Sequence, residues 1–200
     1  MLATAYPSDL NVWQRRATNR LVSPIGDTFL TVVHLAVQTN VQAVLPSAFY
    51  EATTRPLAEI IPQLHSLPVD DMMLQDISTK FLLGREKLQQ EGIKEVLAFL
   101  QPTFVRQNCQ NGNDSATLMN AARTALVRLT DIEPYYNYCI NNPAGVGMSL
   151  GVCSNCTNAI RLHIEGATLK IWEKLPSLFG LPDWEVLTAE ENTPESGDAA

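Results

Sequence analysis

Cys153 and Cys156, two cysteines separated by two residues, come closer to chemistry than any other pair in this chain. A Cys-x-x-Cys pair lets two thiolates face one tetrahedral zinc ion, or lets two thiols exchange electrons as a disulfide. For zinc, Cys109 offers a third ligand from its own loop, and His163 or Cys139 a fourth. His163 follows Cys156 by seven residues, about 10.5 Å along a helix, so it reaches a shared metal only if Cys156 lies at or before the helix start. Without metal, the same residues read as buried or half-exposed thiols, with His163 a surface or capping residue. A redox role draws on a helix N-terminus, which stabilises thiolate, but it lacks the βαβ setting such motifs occupy. A zinc set of Cys109, Cys153, Cys156 and His163, or a redox pair, therefore stands as the alternative to a chain with no cofactor.

Other patterns are weaker. Gly147-Met148-Ser149-Leu150-Gly151 has the letters of a hydrolase nucleophile elbow. That elbow needs a strand before it, a helix directly after it, and an acid then a histidine downstream. No Asp or Glu lies between Ser149 and His163, and Asp183 comes after the last histidine. Gly145, Gly147 and Gly151 miss the dinucleotide spacing and follow no strand. Asp70 and Asp71 are adjacent at a helix start, where capping and the helix dipole explain them better than a catalytic pair. His34 and His65 have no acid or thiol partner at a telling interval, and Gly84-Arg85-Glu86-Lys87 reads as a solvated helical face. No nucleophile, base and acid combine, so the chain is expected not to be an enzyme.

The elements that must position these residues are helices. After Cys156 the apolar residues Ile160, Ile164, Ala167, Ile171 and Leu175 recur at helical spacing, with Trp172 widening the stripe and Lys170, Glu173 and Lys174 outside it. Ser154 or Asn155 is the expected N-cap. Leu175-Pro176 is the expected stop, because the residue before proline is pushed out of helical geometry. A short turn would follow to Gly180, and Asp183 would cap a last turn carrying Trp184 and Leu187. Trp172, Leu175, Pro176, Phe179, Gly180, Pro182 and Trp184 are therefore read as structural anchors.

Earlier in the chain, Ser8 or Asp9 caps a helix with Leu10, Trp13, Ala17 and Leu21 inward. Pro24-Ile25-Gly26 breaks it, and Asp27 caps the next, built on Phe29, Leu30, Val33, Val37 and Val41. Further helices are expected over Val41 to Thr54 and from Pro56 through Ile61. A long segment from Asp71 rests on Met72, Met73, Ile77, Phe81 and Leu82, with Gly92 a possible interruption before Ile93, Val96, Leu97 and Leu100. A turn-rich loop spans Asn108 to Asn113, and Asp114 or Ser115 opens a helix through Leu118, Leu126 and Leu129. No alternating run is long enough for a strand. The fold expected is all-α: one helical array of about seven to nine helices over residues 1–188, followed by a disordered acidic tail over 189–200.

Composition narrows the function. The 200 residues are 46% hydrophobic, enough for a real core. Net charge is −7, and the tail supplies four of those seven through Glu190, Glu191, Glu195 and Asp198. A phosphate-backbone binder needs a clustered basic footprint, which Arg15, Arg16 and Arg20 do not make, so no nucleic acid is expected. No apolar run approaches the ~20 residues of a membrane span, and no secretory signal opens the chain. Four cysteines are too few for a disulfide scaffold. An intracellular, reducing setting, cytoplasmic or nuclear, is expected.

The order of motifs carries a resemblance. Tyr6-Pro7-Ser8-Asp9-Leu10 with Trp13 is followed by Leu45-Pro46-Ser47-Ala48-Phe49-Tyr50, then by Leu83-Gly84-Arg85-Glu86-Lys87-Leu88. Last comes Cys153-x-x-Cys156, His163-x-x-Gly166, Trp172-x-x-Leu175-Pro176 and Phe179-Gly180-Leu181-Pro182-x-Trp184. In this order they resemble the helical region that follows the BTB/POZ domain in a large set of fungal proteins, and the last motif is the most specific. The resemblance covers nearly the whole chain up to Leu187. No BTB fold is found before Tyr6, so the chain is expected to be truncated or diverged at its front. Such relatives often carry more cysteines around the loop that here holds only Cys109. The resemblance implies an adaptor that binds a protein partner, since the BTB fold is generally a dimerisation and adaptor device.

Overall fold

Aspartate side chains open two of the helices, and left-handed residues follow the ends of three. Asp9 accepts the amide of Val12 on its side chain (2.9 Å) and that of Trp13 on its carbonyl (3.0 Å), which starts helix α1, Leu10–Arg16. Asp70 does the same for Met73 (2.8 Å) and Leu74 (2.9 Å) at the start of the long helix α5, Asp71–Glu95. Asp70 and Asp71 are thus a cap and a first-turn residue, as the sequence indicates.

The computed structural model describes residues 6–16, 28–101, 103–104, 120, 124 and 135–191, and the architecture is all-α. Between α1 and α5 stand α2 (Thr28–Gln38), α3 (Leu45–Thr53) and α4 (Leu57–His65). After α5 come α6 (Tyr135–Asn141), α7 (Pro143–Ser149), α8 (Ser154–Leu178) and α9 (Trp184–Glu191). Tighter 3-10 turns span Gln42–Val44 and Val96–Leu100. Among the described residues there are nine α-helices and no strand. The expected helix breaks at Pro24–Gly26, the cap at Asp27, the loop over 108–113, the helix after Asp114 and the tail beyond Glu191 lie outside the described residues.

Three helix boundaries differ from the sequence reading. The helix expected from Val41 begins as a 3-10 turn and becomes α-helical at Leu45. Gly92 does not interrupt α5. Pro176 does not stop α8, which runs on to Leu178. Proline in the last turn forfeits one amide bond, and a complete terminal hydrogen-bond motif follows at once. The Leu181 amide donates to the Pro176 carbonyl (2.9 Å) and the Gly180 amide to that of Ser177 (3.1 Å), with Gly180 left-handed at φ +67°. This is a Schellman closure, and its two flanking residues, Pro176 and Leu181, are both buried. Helix α2 ends in the same way. Asn40 (φ 54°) occupies the glycine position, and the Val41 amide donates to Ala36 (2.9 Å).

The chain packs as two units, Met1–Thr53 with Leu57–Arg85 and Glu173–Ala200, and Thr54–Pro56 with Glu86–Trp172. In the first, α2 lies on α3, and α9 lies on the Gln42–Val44 turn. Phe49 stands at its aromatic centre, 5.2 Å from Phe179 and 6.0 Å from Phe81 between ring centroids. Trp13 meets Tyr50 edge-on at 5.8 Å. In the second unit, α6 packs on the Val96–Leu100 turn and on α7, and Ile160, Ile164, Ala167 and Ile171 of α8 are buried as their spacing requires.

The buried stripe of α5 is Ile77, Phe81, Gly84, Leu88 and Gly92. Met72, placed on that stripe by the sequence reading, is 81% exposed. The two glycines are notches. A methyl group on Gly84 would overlap the Phe179 ring, and one on Gly92 would stand 2.5 Å from the Tyr136 ring. Gly166, in the middle of α8, has no described residue within 4 Å of where its side chain would be.

These surroundings give two Gly→Ala substitutions opposite signs. Alanine in an open helix interior stabilises by about 1 kcal/mol, whereas forcing a methyl into a packed ring costs about 1–3 kcal/mol. Gly166→Ala is therefore expected to raise the urea midpoint of the full chain, and Gly84→Ala to lower it. Equal shifts of one sign would contradict the notch.

Candidate functional site

The Cys153/Cys156 turn is built by α7 and the first turn of α8. Asn142 and Pro143 start α7, where the amides of Gly145 (3.1 Å) and Val146 (3.2 Å) donate to the Asn142 carbonyl. A methyl group on Gly147 would stand 2.6 Å from Thr157 Cα, so α7 presses directly on the backbone of α8. The Ser149 hydroxyl donates to the Val146 carbonyl (2.8 Å), and Gly151 turns the chain at φ +66°. The Gly-x-Ser-x-Gly letters are thus a helix end and a turn. The glycines serve close approach and chain reversal, and the serine hydroxyl is bonded to its own helix.

The N-cap of α8 is Cys153, one residue before the expected Ser154 or Asn155. Its carbonyl accepts the Thr157 amide at 2.9 Å. Cys156 is the third helical residue, inside the first turn rather than at or before the start. Cys153 is half-buried, Cys156 is 1% exposed, and Cys139 on α6 is fully buried. None of these three is in a disulfide. Cys109, the proposed third zinc ligand, lies outside the described residues.

His163, two turns further on, points to different chemistry. Its Nε2 is 2.9 Å from the Glu95 carbonyl oxygen. A carbonyl only accepts, so Nε2 carries the hydrogen and donates. The ring is edge-on to Phe104 at 5.3 Å and to Phe99 at 6.4 Å. Next to it, the Lys94 ammonium is 3.3 Å from the Glu95 carboxylate. Hydrogen bonding to Glu95 and the nearby Glu91 charge hold Lys94 above its ordinary value. Nε2 of His163 is thus bonded to the end of α5, and a metal would have to be met by Nδ1. Among the described residues, no group of three His, Cys, Asp or Glu side chains is placed to hold a metal ion.

Of the residues read as structural anchors, Trp172, Leu175, Pro176 and Phe179 are buried, Trp184 is half-buried, and Gly180 and Pro182 are exposed. Asp183 caps α9, its carbonyl accepting the Leu187 amide at 3.1 Å. Two features escaped the sequence reading. One is an exposed face on α8: Leu162 is 54% and Leu169 49% exposed, with exposed Gly166 between them on the same side. Its signal was present in the spacing of four and three residues around a glycine. The other is Asn137, a fully buried side chain on α6 whose amide oxygen and nitrogen both lack a hydrogen-bond partner among the described residues. Nothing in its sequence neighbourhood signals burial.

Compared with known proteins, the chain matches no family model, no curated protein and no solved structure.

An unpaired buried amide costs about 1–3 kcal/mol. Asn137→Leu, which keeps the shape and removes the polar atoms, is therefore expected to raise the unfolding free energy in urea. A fall of similar size would mean that the amide is paired.

Proposed function

We propose that this chain is a non-enzymatic protein-interaction module, an adaptor region of the kind that follows the BTB/POZ domain in fungal proteins, working inside the cell. The observation that carries the reading is the α8 face of Leu162, Gly166 and Leu169. Two leucines in water forgo the burial that stabilises Ile160, Ile164, Ala167 and Ile171 on the same helix. Glycine between them weakens the helix and has no described residue within 4 Å of where its side chain would be. A glycine flanked by leucines suits the close approach of another helix, because backbones meet where no side chain intervenes. The order of sequence motifs supports the same reading, as does a fold made of helices alone.

The partner in this reading is a protein. A net charge of −7 disfavours a nucleic-acid backbone, and no helix among the described residues is long and apolar enough to cross a membrane. A structural zinc on Cys109, Cys153, Cys156 and His163 is the competing reading. It would require His163 to ligate through Nδ1, its Nε2–H remaining on the Glu95 carbonyl. Metal analysis of the purified full chain is expected to give no stoichiometric zinc; one zinc per chain would favour the metal reading.

The interaction face is tested by Leu162→Glu combined with Leu169→Glu, changes on exposed positions that should leave the helical circular dichroism intact. Wild type and variant are cross-linked side by side in cells and purified. The expected result is a discrete protein partner, stoichiometric with the wild type and lost with the variant. Identical partners for both, or none for either, would contradict the reading.

A further inference from the structure

We propose that Cys153 and Cys156 form a reversible disulfide, making the first turn of α8 a thiol–disulfide switch. This does not rest on the interaction reading. Its basis is the placement of the two thiols. Cys153 is the N-cap, shown by its carbonyl accepting the Thr157 amide at 2.9 Å, and Cys156 is the third helical residue. Residues three apart on a helix have Cα atoms about 5 Å apart, inside the roughly 4.4–6.8 Å span of disulfides. N-cap residues typically have non-helical dihedrals, which turn the side chain toward the amides of the first turn. The same geometry lets the two side chains of a capping box reach across the same interval.

Exposure divides the labour. Cys153 is half-buried and reachable, whereas Cys156 is 1% exposed. The turn is braced from behind by α7 through the Gly147–Thr157 approach, so the thiols are held by packed backbone and not by a loose loop. The zinc alternative would need further ligands, and among the described residues no group of three His, Cys, Asp or Glu side chains is placed to hold a metal ion.

The exchange partner is a low-molecular-weight disulfide. The Cys153 sulfur, as thiolate, attacks one sulfur of that disulfide. The old S–S bond breaks, and the departing thiolate takes up the proton that Cys153 lost. The Cys156 sulfur then attacks the Cys153 sulfur in the mixed disulfide, and the second thiolate leaves with the proton from Cys156. The chain loses two electrons and two protons, and the small disulfide becomes two thiols.

The test uses the full chain, reduced and then equilibrated in buffers of oxidised and reduced glutathione, trapped with N-ethylmaleimide in denaturant so that buried thiols also react, and mapped by peptide mass. Cys153 and Cys156 are expected to lose alkylation together, Cys139 to keep it, and dithiothreitol to restore both. Cys156→Ser should stop at a glutathione adduct on Cys153, while Cys153→Ser should give no such adduct on Cys156. Circular dichroism of each variant controls for folding. Independent alkylation of the two thiols at every ratio would overturn the proposal. So would a persistent wild-type adduct on Cys153, a disulfide to Cys109 or Cys139, or a zinc ion that shields both thiols until chelated.

Discussion

Phe179 sits over Gly84 and Tyr136 over Gly92, and both rings fit because α5 carries hydrogen where a side chain would stand. The stripe from Ile77 to Gly92 alternates bulk with absence, so the helix meets its neighbours by receiving rings as well as by offering side chains. In the first unit the consequence spreads quickly. Phe179 over Gly84 is also 5.2 Å from Phe49, which reaches Phe81, so one notch sets the position of an aromatic cluster. Phe179 itself is placed by the Schellman closure at Gly180, which fixes where α8 ends. In the second unit, Tyr136 over Gly92 seats a helix of only seven residues whose Tyr136, Asn137, Cys139 and Ile140 are all buried.

Much of this was legible in the residues. Helical spacing located α8 and its buried face, and the aspartates at 9, 70 and 183 marked starts that the hydrogen bonds bear out. Glycine and proline were less legible because their meaning depends on what lies across from them. Gly84 and Gly92 look like weak points until a ring is placed against each. Gly147 and Gly151 spell a hydrolase motif until Thr157 is found against one and a left-handed turn at the other. Pro176 reads as a stop by its own sterics, yet the motif at Gly180 and Leu181 supplies the true end. The surroundings of His163, read from the sequence as a zinc ligand, were illegible for a related reason. Sequence spacing places His163 on the same face as Cys156 but gives no notice of the carbonyl of Glu95, sixty-eight residues earlier, that bonds its ring.

Helix α8 therefore has three regions with different physical character. Its first turn holds two thiols of unequal exposure, its buried stripe anchors the second unit, and its outer side shows Leu162, Gly166 and Leu169 to solvent. The proposed functions draw on the first and third regions, where local structure does not already account for the residue types. Cysteine at an N-cap and leucine beside glycine in water both depart from what helix stability alone would select.

The seating of rings in glycine notches is tested most directly by nuclear Overhauser spectroscopy of the folded chain, reading the α-protons of Gly84 and Gly92. Each is expected to show cross-peaks to ring protons, of Phe179 and Tyr136 respectively, and to be shifted upfield by the ring current. Ordinary glycine shifts without ring cross-peaks would contradict it.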